Sequence, residues 1–145
     1  MNQVTDWKSQ EWYLSVLSQA DAGETKAFVN DLLAELPEVE VLKNQTGLVM
    51  IPCKDTVQGT EFHLGEALVA EAWIRMQGVD GYAACLGRDL EQAMAIAVLD
   101  AAIQAGLHHE RIEPFLRETA QKIAEAEETL MRKVESTRVE METFV

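Results

Sequence analysis

Apolar residues crowd most densely between Gly81 and Gly106, where GYAACLGRD runs into LEQAMAIAVLDAAIQAG. Only Glu91, Gln92, Asp100 and Gln104 are polar between Leu90 and Gly106, so a helix here must be covered around nearly all of its circumference. Asp89 is placed to cap it, with Gln92 able to reach back as in a capping box, and Gly106 supplies the stop. The many alanines let neighbours approach closely.

The flanking patterns predict other elements. Trp7, Glu11, Leu14 and Leu17 or Ser18 follow helical spacing from Thr5 and Asp6 to about Ala20, widened by Trp12, Tyr13 and Val16. A second helix from about Glu24 buries Phe28, Leu32, Leu33 and Leu36 and ends at Pro37, giving an N-terminal helical hairpin. Short β-branched runs then follow at Val39–Leu42 and Leu48–Ile51, with a third strand about Phe62 between Gly59 and Gly65. Residues Ala67–Met76 have helix-forming types, yet Leu68, Ala70, Ala72, Ile74 and Met76 alternate with Val69, Glu71, Trp73 and Arg75, and the alternation predicts a strand. Gly78–Gly81 reads as a hairpin connection to a fifth strand, Tyr82–Leu86. Past a loop at His108–Glu113, Pro114 opens a last helix with one stripe: Leu116, Thr119 or Ala120, Ile123, Leu130, Val134, Thr137, Met141 and Phe144. Its ~30 residues would reach ~45 Å, longer than such a domain is wide, so 114–144 is available to a partner. The predicted class is α+β: helical hairpin, antiparallel meander of about five strands, buried central helix and long C-terminal helix.

With 145 residues, 48% of them hydrophobic, the chain is long enough for one domain with its own core. Its net charge of -13, from 25 acidic against 12 basic residues, argues against a binder of nucleic acid or anionic membrane. No apolar run is long enough to span a bilayer, and the N-terminus lacks the plan of a signal peptide; a soluble, cytoplasmic protein is predicted. Cys53 and Cys85 are far apart and show no ligand spacing with His63, His108 and His109, which predicts reduced, structural thiols and no bound metal.

Several residues are weighed as sites. Gly87 and Arg88 precede a helix N-terminus, where free N–H groups and a guanidinium could hold an anion. The structural reading is favoured: Gly87 permits a turn, Asp89 caps, and Arg88 makes an ion pair. Asp100 could be a buried acid, but it lines up with Gln92 and Gln104 at multiples of four, which favours a solvated strip. His108 and His109 are expected in solvent, and His63 in a half-buried strand position. Arg132, Lys133 and Arg138 read as a charged solvent face among glutamates. No nucleophile with its base, P-loop, Rossmann fingerprint or metal box occurs, so no catalytic residue is assigned.

The chain resembles the PhnG family, the G subunits of the bacterial carbon-phosphorus lyase core complex. The residues that carry this are TGLV at Thr46–Val49, FHLGEALV at Phe62–Val69, and above all G-Y-x-x-x-L-G-R-D from Gly81 to Asp89, which includes Tyr82. Asp100, the opening near Trp12–Leu17, the V-x-x-[ST]-R-V tail at Val134–Val139 and the closing ETFV also fit. Thr137 stands where serine is common in the family.

The resemblance implies an assembly with H, I and J subunits, two copies of each, in the cytoplasm of a bacterium. It also implies a shared reaction, supported functionally by the L protein. A phosphonate oxygen displaces adenine from C1′ of the MgATP ribose, giving ribose 1-methylphosphonate 5-triphosphate; radical cleavage of the carbon-phosphorus bond follows on the iron-sulfur J subunit. MgATP is then a substrate of the complex, and this chain binds no cofactor of its own. Gly87, Arg88, Asp89, Tyr82, Asp100 and Arg138 are the anion-binding or interface candidates. Three readings stand: an assembly or positioning subunit, a subunit whose Arg88 stabilises reacting charge, or an α+β interaction module that forms a homodimer through its last helix.

Overall fold

The computed structural model describes residues 6–55 and 57–142, with side chains described at all of these except 51, 53, 62–64 and 138–142. The element order is α1 (Gln10–Gln19), α2 (Ala22–Leu33), β1 (Val39–Lys54), β2 (Glu61–Met76), β3 (Val79–Leu86), α3 (Leu90–Ala105) and α4 (His109–Glu142). They fall into two compact units, one of residues 21–109 and one that joins residues 1–20 to residues 110–145.

In the unit of residues 21–109, an antiparallel sheet of order β1-β2-β3 carries α3 on one face. Along β2 the alternation wins over helix propensity: Ala70, Ala72, Ile74 and Met76 are buried under α3 while Trp73 and Arg75 are exposed. On β3, Gly81, Ala83 and Cys85 are buried, and Tyr82, Ala84 and Leu86 are exposed. Asp89 accepts a 3.0 Å hydrogen bond from the Gln92 amide and starts α3; Gly106, left-handed at φ 75°, ends it. Ala95 to Ile103 are buried without exception, the all-round burial that the apolar run requires. Asp21 caps α2 by accepting from the Glu24 amide at 3.0 Å, so the helix begins at Ala22, two residues ahead of the predicted start. Val29 and Leu32 are its buried apolar residues, whereas Leu33 is 41% exposed.

The sheet has three strands where five were predicted. The runs at Val39–Leu42 and Leu48–Ile51 are parts of β1, because Asn44, Gln45 and Gly47, which lie between the two runs, keep their partners Ala72, Glu71 and Val69 on β2. The predicted third and fourth strands likewise merge into β2 across Gly65. A register shift between Val41 and Lys43 absorbs the extra residue. The β2–β3 turn is Gln77-Gly78, with φ of 50° and 77°, the positive pair that a tight hairpin needs. Gly81 therefore lies inside β3, not in the turn.

The second unit contains α1 and α4. In α1, Tyr13, Val16 and Leu17 are buried. The last helix starts at His109, so Pro114 lies inside it and not at its first position. The first turns bury Ile112, Leu116 and Thr119; from Ala124 to Thr137 every residue is exposed, including Leu130 at 61% and Val134 at 55%. At 34 residues α4 is about 51 Å long. Among the described residues no helix is long and apolar enough to cross a membrane.

A Cβ on Gly81 would lie 2.1 Å from the Ala97 carbonyl oxygen and 2.9 Å from both the amide N and the Cβ of Ala101, while one on Gly47 would meet nothing within 4 Å. Gly81→Ala is therefore expected to cost about 3 kcal/mol or more by overpacking against backbone, and Gly47→Ala to stabilise by roughly 0.5 kcal/mol. Urea titrations of the two variants check this; a neutral Gly81→Ala would contradict the close approach of β3 and α3.

Candidate functional site

Tyr82, Gly87, Arg88, Asp89 and Asp100 lie on β3, on α3 and in the turn that joins them. An edge strand leaves every second N–H without a strand partner, and Tyr82 has such an amide. It donates to Asp100 Oδ2 at 3.0 Å. The other oxygen, Asp100 Oδ1, accepts from Gln104 Nε2 at 2.9 Å, and the same nitrogen lies 3.3 Å from the Asp80 carbonyl. Asp100 is 1% exposed, so the predicted solvated strip is corrected: this carboxylate is buried and serves as an acceptor that ties β3 to α3. Helical spacing alone misplaced it, because α3 is covered all round from Ala95 to Ile103 and Asp100 faces β3.

The Tyr82 side chain lies on the other face of the sheet. Its hydroxyl donates to Glu71 Oε2, and Glu71 Oε1 pairs with Lys43 Nζ at 3.2 Å, so one polar ladder crosses all three strands. The Tyr82 hydrogen bond, and then Lys43, hold the Glu71 carboxyl below the usual range. Reciprocally, the Glu71 hydrogen bond followed by burial pushes the Tyr82 phenol up to about 12. Glu71 and Lys43 were not singled out in the sequence; the signal was their position beside Tyr82 on the outward parity of neighbouring strands.

Gly87 takes φ 104° and donates its amide to the Leu68 carbonyl at 2.8 Å, so it needs to be glycine for backbone reasons. Asp89 caps α3 and also meets Lys26 Nζ of α2 at 2.7 Å. The Lys26 contact, and then the Gln92 amide, lower the Asp89 carboxyl from its ordinary value. Asp89 thus fills the helix N-terminus proposed for an external anion. The predicted ion pair of Arg88 is also corrected: Lys26 takes that role, and Arg88 is exposed with no ion pair among the described residues. Beside Lys26, a groove of about 380 Å³ lies between α2, β1 and α3, lined by Val29, Leu33, Val41, Met94 and Val98 among others.

The remaining candidates lie elsewhere. Arg138, His63 and Cys53 have side chains outside the described residues. His108 and His109 are half-buried: His108 Nε2 lies 3.1 Å from the Glu35 carbonyl and His109 Nε2 3.1 Å from the Ile103 carbonyl. Cys85 is a buried free thiol whose pKa is raised, chiefly by burial. Among the described residues no three of His, Cys, Asp or Glu cluster as metal ligands. Chemically, the carboxylates of this region are spent on amides, a phenol and lysines, and Arg88 is left facing water.

Two comparisons bear on this arrangement. The profile of the family described as "Phosphonate metabolism protein PhnG" matches residues 8–145. The "Alpha-D-ribose 1-methylphosphonate 5-triphosphate synthase subunit PhnG" of Rhizobium meliloti (strain 1021) is 31% identical over 134 residues, 91% of this chain and 85% of that protein.

The pH dependence of stability follows from the ladder and the cap. Glu71 and Asp89 have lowered folded-state pKa values, so their contribution is present above the unfolded carboxyl range of about 4 and is lost as pH falls through the folded values. Tyr82 is raised; its contribution is complete below about pH 10 and is lost as pH climbs toward about 12. In urea midpoints measured across pH, Asp89→Asn should shallow the acid limb and, by releasing Lys26, whose pKa the Asp89 contact raises, the alkaline limb as well; Tyr82→Phe should also shallow both limbs. A Tyr82→Phe profile parallel to the parent at both ends would contradict the ladder.

Proposed function

The chain belongs to the PhnG family of phosphonate metabolism proteins, and we propose on that premise that it is a subunit of the carbon-phosphorus lyase core complex. In that complex it supports transfer of a phosphonate, through one of its oxygens, to C1′ of the MgATP ribose with release of adenine, the synthase activity named for its relative. Its partners are the H, I and J subunits, with the L protein acting in the same step, and the setting is the cytoplasm. Its own part is assembly and positioning. The observation that carries this is the use of the signature residues: Gly81, Tyr82, Asp89 and Asp100 are each engaged within the fold, so the family's most distinctive stretch builds a scaffold. The exposed stripe of α4 at Leu130 and Val134 offers apolar surface to another subunit.

A second reading rests on Arg88, which is exposed next to the left-handed Gly87 and is a fixed cation that could stabilise phosphate or phosphonate charge in the assembled enzyme.

Co-expression with the H, I and J subunits from the same source separates these readings. The parent chain and Arg88→Ala are expected to co-purify equally with the partners and to turn over MgATP and methylphosphonate within about twofold of one another. An Arg88→Ala complex that assembles fully yet turns over about a hundredfold more slowly, the size of a lost electrostatic contact, would overturn the purely architectural role. A parent chain that does not assemble with well-folded partners would overturn the proposed function itself.

A further inference from the structure

The core face of the sheet does not end where its helix ends. On β2 the positions that alternate inward are Leu68, Ala70, Ala72, Ile74 and Met76, and the last four are fully buried. Continuing the same face away from α3, Leu68 pairs with Leu48 and Glu66 with Met50. Leu68 is half-buried, and Leu48 and Met50 are 64% and 52% exposed. The strand β3 stops at Leu86, opposite Val69, so from Leu68 back to Glu61 the sheet is the β1–β2 ribbon alone. A two-stranded ribbon in water is marginal by itself, and one with apolar side chains on its inward parity has the pattern of a covered surface without the cover. At its far end Val57 is 89% exposed.

We propose that the ribbon formed by residues 48–54 and 61–68 is a docking arm, and that its Leu48–Met50–Leu68 face is covered by a different protein subunit presenting apolar side chains within a basic rim. This rests on the reading of the chain as a subunit of the synthase. Charge selects the occupant: residues 48–68 include Asp55, Glu61 and Glu66 against Lys54 alone, and the whole chain carries -13. A second copy would bring the same charge to the same face, whereas a basic partner neutralises it.

The test uses the full chain, tagged and co-expressed with the other synthase subunits. Leu48→Asp together with Met50→Asp should lower recovered partner at least about tenfold, the effect of losing central interface anchors. Leu86→Asp is the control: it is 78% exposed, but it pairs with Val69 on the opposite parity, and it should assemble like the parent. Both altered positions are exposed, so the folded state is expected to persist; far-ultraviolet circular dichroism of the isolated chains verifies this. Glu61→Lys with Glu66→Lys, which keeps Leu48, Met50 and Leu68 in place and reverses charge beside them, should weaken recovery and reduce its salt dependence. Equal recovery for the Leu48/Met50 pair and the parent, or equal loss with Leu86→Asp, would overturn the docking arm. A concentration-dependent homodimer of the isolated parent that the Leu48/Met50 pair abolishes would overturn the choice of a different subunit. A parent that itself captures no partner while the other subunits are well folded would overturn the subunit reading and, with it, the docking arm that rests on it.

Discussion

The contact on which this fold depends is the closure of β3 onto α3. It has a steric part and a polar part that act at adjacent residues. Gly81 removes the side chain that would strike the Ala97 carbonyl, and the next amide, Tyr82, then reaches the Asp100 carboxylate. A carboxylate on a helix buried all round would be costly without donors; an edge-strand amide without an acceptor would be costly too. Each supplies what the other lacks, and Gln104 supplies a further donor. The same crossing sets the outward face, because burying Gly81 and Ala83 turns the intervening Tyr82 side chain to Glu71 and Lys43.

Much of this was legible in the sequence. The central helix, its Asp89 cap and its Gly106 stop depend on local chemistry and came out as read. The strand at 67–76 was legible because a period of two survives unfavourable propensity. What was not legible depended on partners distant in the chain. Asp100 looked like part of a solvated strip because helical spacing does not say which neighbour covers a face. Gly65 looked like a strand boundary because one strand does not reveal that its neighbour's ladder runs through. Pro114 looked like a helix start, yet α4 begins five residues earlier. The Lys26–Asp89 pair joins residues 63 apart, so no short motif could announce it.

The family assignment gives these structural facts a functional direction. The family signature resolves into a left-handed glycine, a helix cap, a close-approach glycine and an anchored tyrosine, all devices for holding backbone in place. A subunit built this way is suited to present fixed surfaces. Two surfaces stand apart from the core: the exposed second half of α4, and the ribbon where the sheet outruns its helix. Arg88, exposed at the end of the signature, is the residue on which the proposed electrostatic role rests.

Asp100 pins the edge strand through one amide, and hydrogen exchange at the Tyr82 amide reports on that bond. Protection comparable to that of the Ile74 amide on the central strand is expected, with a selective loss at Tyr82 and its neighbours in Asp100→Ala. Exchange of the Tyr82 amide in the parent protein at the rate of an exposed edge-strand amide would contradict it.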